Sequence, residues 1–298
     1  LAAVSGDRFG FPVVVKADGL AAGKGVTVAA DRAEAEAAVR AAMVDKQFGA
    51  SGSRLVIEEC LTGPEVSLFF LSDGQHASYL ASAQDHKRIF DTDLGPNTGG
   101  MGAFAPSPLA TLDLVRDTYE RIVQPVIDGH AEIGEPYRGF LYVSLVLTPD
   151  GPKVIEFNVR FGDPEAQVVL PLIDRGLTGV LQEAAQGAFV RASHVVSPDK
   201  AVGVVLASRG YPASAESGVP IEGIDRASAL PGVTVFHAGT KMQDGRLVTA
   251  GGRVLTVVGR GATYREAMDR AYAGVREIRF EGMQYPTDIG KKALGANE

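Results

Sequence analysis

The sequence predicts an α/β (α+β) protein of two or three lobes, and three observations lead there. Short apolar, β-branched runs recur from one end of the chain to the other and read as strands. Alanine-rich or helically periodic stretches fall among them. The 298 residues, 45% of them hydrophobic, are more than one small domain needs, since domains usually run ~100–200 residues.

Residues 11–16 form a short β-branched run ending in Lys16 and read as a strand. A glycine-rich loop follows at 18–25, then a second strand at 26–29. Asp31 is placed as the N-cap of an alanine-rich helix at 33–43, with Glu34 adding charge to its first turn. Strands are expected at 54–58 and 65–71, split by the turn Thr62-Gly63-Pro64, and another at 75–81. Residues 84–103 are polar, rich in glycine and poor in β-branched side chains, so they read as a long functional loop. Helical periodicity covers 112–133. A hairpin is expected from 139–147 and 153–157 around Asp150-Gly151, followed by helices at 164–170 and 177–187. Composition shifts after Arg191, which places a domain boundary near residue 195. Beyond it, strands are expected at 201–207, 233–236, 246–250 and 254–258, and a helix at 262–278.

A net charge of −7 argues against broad nucleic-acid binding, which needs a basic face, but it leaves room for a local phosphate pocket. No apolar run reaches the ~20 residues that span a bilayer, and no signal peptide opens the chain. The lone cysteine, Cys60, allows no intrachain disulfide and fits a reducing cytoplasm. The chain opens Leu1-Ala2-Ala3-Val4 without an initiator methionine, which is read as a fragment or a processed start.

Four constellations carry chemistry. In the first, a strand delivers Lys16 and the loop Gly19, Gly23, Lys24, Gly25 follows. Glycines let backbone N–H groups turn toward phosphate oxygens, and lysines neutralise their charge. The spacing is neither a Walker A nor a dinucleotide fingerprint, so a phosphate-covering loop and a plain hairpin with solvated lysines both stand. In the second, apolar strand residues lead into Glu58, Glu59, Cys60, Leu61 and, past a turn, Glu65. Such a segment suits an adenine edge and ribose hydroxyls, or ends a strand with solvated glutamates.

The third is the most specific. Strand alternation over 154–161 puts Glu156, Asn158 and Arg160 on one face and Phe157, Val159 and Phe161 on the other. A carboxylate beside an amide oxygen suits Mg²⁺ bound through phosphates, and a guanidinium beyond them can stabilise a reacting anion. The strand is expected to be central and buried, which disfavours an edge strand with a solvated face. The fourth is Gln84-Asp85-His86-Lys87-Arg88 with the glycine-dense run 95–102, either an anion-binding substrate loop or a mobile charged one. A lone His86 is more often structural or solvated than catalytic.

Together these residues resemble the ATP-grasp family and, within it, the glycinamide ribonucleotide synthetases, which are phosphoribosylamine–glycine ligases. The resemblance is carried by RFGDPEAQ at 160–167, KADGLAAGKGV at 16–26 and QDHKR…GPNTGGMGA at 84–103, with Phe236–Lys241 and Gly251-Gly252-Arg253-Val254 further on. It implies ATP clamped between two lobes, a small one at 1–62 and a large one with the metal site at 63–195, plus a smaller β-rich C-terminal domain at 196–298. Lys16 would contact phosphates, and Gly19, Gly23, Lys24 and Gly25 would form a lid. Glu58, Glu59, Leu61 and Glu65 would lie around the nucleotide. Glu156 and Asn158 would hold Mg²⁺ or Mn²⁺, and Arg160 would be catalytic. Asp85, Lys87, Arg88, Asn97, Gly99, Gly100 and Asp163 would bind substrate. Two departures stand out. The family's N-terminal domain and a further phosphate-contacting lysine would precede Leu1. Some relatives carry a second metal carboxylate on the strand before Glu156, where this sequence offers Ser144.

The implied reaction is ligation of glycine to 5-phosphoribosylamine with ATP as co-substrate, through glycyl phosphate, in purine biosynthesis. The implied partners are those three small molecules, with no nucleic acid and no membrane, in a cytoplasmic enzyme that is monomeric when complete. The competing readings are another ATP-grasp carboxylate–amine ligase, an ATP-binding piece that turns nothing over, and a non-enzymatic interaction module.

Overall fold

A computed structural model describes residues 2–4, 9–21, 25–189 and 193–294. The chain forms two compact units, Leu1–Gly63 and Pro64–Glu298. The first holds a three-stranded antiparallel sheet. Its strands are β1 (Val13–Ala17), β2 (Val26–Ala29) and, after the helix α1 (Arg32–Met43), β3 (Leu55–Glu59), in the order β2-β1-β3. Val13 and Val15 pack with Ala29 onto Ala35 and Val39 of α1. Strand alternation then turns Val14 and Lys16 to the opposite face. Asp31 caps α1 as expected, its carboxylate accepting from Glu34 N at 2.9 Å.

The second unit is built on an eight-stranded sheet. Its first strands are β4 (Glu65–Asp73), β5 (Ala77–Phe90) and β6 (Leu94–Ala105). Then α2 (Leu112–Thr118) runs through one π turn into α3 (Gln124–Glu132), covering the stretch expected to be helical. The hairpin β7 (Arg138–Thr148) and β8 (Gly151–Asn158) follows. After it come α4 (Glu165–Val169), β9 (Ile173–Arg175), α5 (Leu177–Gln186), β10 (Val195–Val196) and β11 (Lys200–Ala207). The chain continues with α6 (Ile224–Ser228), β12 (Val233–His237), β13 (Thr240–Gln243), β14 (Arg246–Thr249), β15 (Arg253–Gly261) and α7 (Tyr264–Glu277).

The sheet order is β12-β15-β11-β6-β5-β4-β7-β8, with every neighbouring pair antiparallel. Strands from 63–195 and from 196–298 thus share one sheet. β4 reads as a continuous apolar run because both of its faces are covered. Val66, Leu68 and Phe70 pack with Val123 and Ile127 of the α2–α3 layer. Phe69 and Leu71 pack with Val168, Val169 and Val180 of α4 and α5. At the other end of the sheet, Val204, Leu206 and Val257 pack with Ala267, Ala271 and Val275 of α7.

Two sequence readings need correction. Residues 84–103 are not a loop but most of the β5–β6 hairpin, which the backbone ladders to β4 and β11 hold in the sheet. Long-range pairing overrides weak local propensity there. The expected central strand, β8, is an edge strand paired with β7 alone. Its C-terminal end is open to solvent, with Phe157 40% and Val159 70% exposed. The polar-faced edge strand that the sequence disfavoured is the one that formed. No helix among the described residues is long and apolar enough to cross a membrane.

Candidate active site

In the first unit, Lys16 lies opposite Val56, and Glu58 lies opposite Val14. The two charged side chains are therefore diagonal neighbours on one sheet face, and Lys16 Nζ meets Glu58 Oε2 at 2.5 Å. The chain after Lys16 is tied back at its stem. Gly19 N donates to Ser51 O at 3.1 Å, and Ser51 Oγ donates to Leu20 O at 2.8 Å. A Cβ on Gly19 would lie 2.6 Å from Ser51 Cα, so only glycine fits that approach. Ala17 N donates to Gly25 O at 2.8 Å, which closes the loop's other stem. Gly23 and Lys24 lie outside the described residues. Glu59 is exposed at the end of β3, and Leu61 is half-buried beyond it.

In the second unit, Glu65 opens β4 and pairs with Lys87 of β5. Asp85 shares the Lys87 face of that strand, while His86 points the other way. Burial pushes the Asp85 carboxyl above the usual carboxylate range, against the pull of the Lys87 charge. Burial alone would lower Lys87, but Asp85, Glu65 and then Glu156 together raise it. The ammonium is thus the hub of a carboxylate cluster drawn from β4, β5 and β8.

Behind this cluster sits Glu165, 4% exposed at the start of α4. Burial first, and then the Asp85 charge, lift its carboxyl to about 7. Tyr142 OH donates to Glu165 Oε1 at 3.0 Å and lies 2.8 Å from Ser67 Oγ. Phe161 anchors the turn before it, with ring centroids 4.4 Å from Phe140 and 5.2 Å from Phe69. A Cβ on Gly162 would overlap the Glu165 carboxylate, so the turn folds directly over that group.

Glu156 and Asn158 meet at the open end of β8, where Asn158 Nδ2 lies 3.0 Å from Glu156 Oε1. Glu156 is paired in register with Ser144, the neighbour expected from sequence. Among the described residues no group of three or more His, Cys, Asp or Glu gathers around a common metal position. An exposed carboxylate beside an amide nevertheless fits Mg²⁺ or Mn²⁺, because such ions keep waters and phosphate oxygens and need only one or two protein carboxylates. Arg160 falls past the end of β8, so it does not continue the Glu156–Asn158 face as strand alternation predicted. It is exposed, and its Nη1 donates to Phe161 O at 3.0 Å.

The remaining substrate candidates divide. Arg88 Nη1 donates to Gly95 O at 2.7 Å, which ties the β5–β6 hairpin across its bulge, and exposed Asn97 stands opposite it. Gly99, Gly100 and Asp163 come together around Arg253, whose Nη1 lies 2.9 Å from Gly99 O and 2.6 Å from Asp163 O. His86 is buried, with its Nε2 unpartnered, and burial first holds its imidazole down at about 4. That fits a neutral structural histidine. Tyr142, Glu165 and Arg253 went unassigned from sequence. Glu165 and Arg253 lay inside quoted motifs, whereas Tyr142 sits in an apolar run that gives no signal.

The described fold, with the lysine, carboxylate and amide groups it presents, is that of an ATP-grasp protein. A family model for the phosphoribosylglycinamide synthetase ATP-grasp (A) domain matches residues 3–166, and one for the C domain of the same synthetase matches 201–292. The phosphoribosylamine–glycine ligase of Rhizobium meliloti is 48% identical over 285 residues, covering 96% of this chain and 67% of the relative. That of Phenylobacterium zucineum is 50% identical over 286 residues, covering 95% and 67%. The crystal structure of phosphoribosylamine–glycine ligase from Thermotoga maritima superposes with a TM-score of 0.85 at 35% identity, covering 94% of this chain and 69% of that one. A biotin carboxylase domain of 2-oxoglutarate carboxylase from Hydrogenobacter thermophilus matches at TM-score 0.67 and 19% identity, covering 95% and 60%, and shares the fold alone. The chain belongs to the phosphoribosylglycinamide synthetase family. It spans about two thirds of the length of the curated relatives it matches.

Proposed function

We propose that the chain ligates glycine to 5-phosphoribosylamine, with ATP converted to ADP and phosphate. A glycine carboxylate oxygen attacks the γ-phosphorus of ATP, and the bond to ADP breaks. The amine of phosphoribosylamine then attacks the carbonyl carbon of glycyl phosphate, and phosphate leaves. The observation that carries this reading is the β8 end. Glu156 and Asn158 stand side by side there, within the electrostatic reach of Lys87 and next to the Arg160–Asp163 turn.

Lys16 meets phosphate oxygens, and its pairing with Glu58 holds the ammonium on the sheet face meanwhile. Glu59, Leu61 and Glu65 are the proposed nucleoside contacts, and the Gly19–Gly25 segment is the proposed phosphate-covering loop. Glu156 and Asn158 would hold Mg²⁺ or Mn²⁺, which would neutralise phosphate charge. Arg160 offsets the charge of the reacting anion. Asp85, Lys87, Arg88, Asn97, Gly99, Gly100 and Asp163 position the acid and the amine. No side chain is assigned as a general base; a neutral amine can attack directly, and the proton it loses on becoming an amide leaves with the departing phosphate. The single cysteine, Cys60, which can form no intrachain disulfide, is consistent with a reducing cytoplasm.

A coupled ADP-release assay tests the proposal. ADP release that requires glycine and phosphoribosylamine together supports it. Release indifferent to both contradicts the substrate assignment, and tight MgATP binding without turnover would leave an ATP-binding unit in place of a ligase.

A further inference from the structure

The geometry points to Arg253, at the first residue of β15, as a positioning residue for the non-nucleotide substrates; the inference rests on the functional reading above. Its Nη1 lies 2.9 Å from Gly99 O, 3.4 Å from Gly100 O and 2.6 Å from Asp163 O. The same nitrogen is 3.2 Å from Asp163 Oδ1. One guanidinium thus holds two segments, the glycine run of β6 and the turn before α4, that are 64 residues apart in the chain from Gly99 to Asp163. Both carry residues assigned to substrate. Arg253 itself comes from the stretch matched by the C-domain family model.

Three further features make this a built junction. Gly99 N donates to Tyr211 OH at 3.0 Å, so a second side chain from the same C-domain stretch holds the same residue through its preceding peptide. The Tyr211 ring packs over Gly252, where a Cβ would overlap it. Gly100 takes φ +113°, and a Cβ there would lie 2.5 Å from Pro164 Cδ. The two segments are therefore pressed together, and Arg253 supplies the charge that four oxygens share. Arginine suits this place because its guanidinium stays charged at any working pH and is more weakly hydrated than an ammonium. With the guanidinium in place, the Gly99–Gly100 peptides and the Asp163 carboxylate keep one relative geometry. Without it they are free to shift, and a misplacement of about 1 Å can cost an active site roughly a hundredfold.

The test compares Arg253→Met with Arg260→Met in the full chain. Arg260 is the control because it lies on the same strand and bonds in the same style, to Asp199 Oδ2, Pro171 O and Ser197 Oγ. It touches neither substrate segment. Arg253→Met is expected to raise KM for glycine or phosphoribosylamine roughly tenfold or more, with KM for MgATP little changed. Arg260→Met is expected to lower thermal stability without moving those constants. Amide hydrogen exchange gives an activity-free readout. Gly99, Gly100 and the 161–166 amides should exchange faster together in Arg253→Met alone. Equal KM shifts in both variants, or unchanged exchange in Arg253→Met, would overturn the inference. A wild-type chain with no turnover would contradict the functional reading instead, and the exchange comparison would still decide the clamp.

Discussion

Tyr142 shows how one hydroxyl conditions a carboxylate. Its O–H donates to Glu165, and that bond works against the burial that lifts Glu165 to about 7. Tyr142→Phe should therefore push the Glu165 carboxyl higher still, as read by carboxyl ¹³C titration, and should cost about 1–3 kcal/mol of stability by leaving a buried acceptor short of a donor. An unmoved titration would contradict the bond's role. At the open end of β8, Glu156→Ala should cut turnover roughly a hundredfold or more while leaving the unfolding midpoint nearly unchanged, since the side chain is exposed. Near-normal rates at saturating Mg²⁺ would rule it out as a ligand. Glu156, Asn158 and Lys87 were legible in the sequence because their chemistry is written in residue type and spacing. Tyr142 was not, because a tyrosine in the run 139–147 looks like any other strand aromatic until the fold sets Glu165 against it.

At the scale of elements, the β5–β6 hairpin and β8 carry the site, and both were misjudged from sequence for the same reason. Local composition reports propensity, while neighbours decide place in a sheet. Two of the glycines that made 95–102 look like a loop, Gly99 and Gly100, let β6 approach Arg253 and Pro164 closely. Gly100→Ala should be destabilising by about 1–3 kcal/mol, from its positive φ and from the clash with Pro164. Thermal unfolding measures this, and a neutral result would mean that the turn before α4 can retreat freely. The alternation read for 154–161 holds only as far as Asn158, where β8 ends, and alternation does not say whether a strand has one partner or two. That it has one explains how polar groups at its end stay solvated.

At the scale of the whole molecule, the C-terminal segment is strapped to the hairpin. Thr287 N and Thr92 N donate across to Asp91 and Asp288 at 2.6 and 2.7 Å, and Lys292 pairs with Asp93 at 2.5 Å. His86 is buried in the same hairpin, its imidazole held at about 4 against an ordinary 6.5. A base whose folded-state value is depressed binds protons more readily when unfolded. Its contribution is therefore intact above pH 6.5 and is lost as pH falls toward 4. Glu165 has the opposite sense, losing its contribution as pH rises from 4.5 through about 7. The wild-type profile mixes the two, so the difference between wild type and His86→Leu isolates the histidine. That difference should shrink by about 3 kcal/mol between pH 7 and pH 4. A pH-independent difference would mean the histidine is charged or solvated in the fold.

The central claim is that glycine is activated as an acyl phosphate. Glycine labelled with ¹⁸O in its carboxylate tests it most directly. One carboxylate oxygen becomes the bridging oxygen of glycyl phosphate and departs with phosphorus when the amine attacks. The account predicts one ¹⁸O in each phosphate released, dependent on phosphoribosylamine for net turnover. Unlabelled phosphate accompanying amide formation would contradict it.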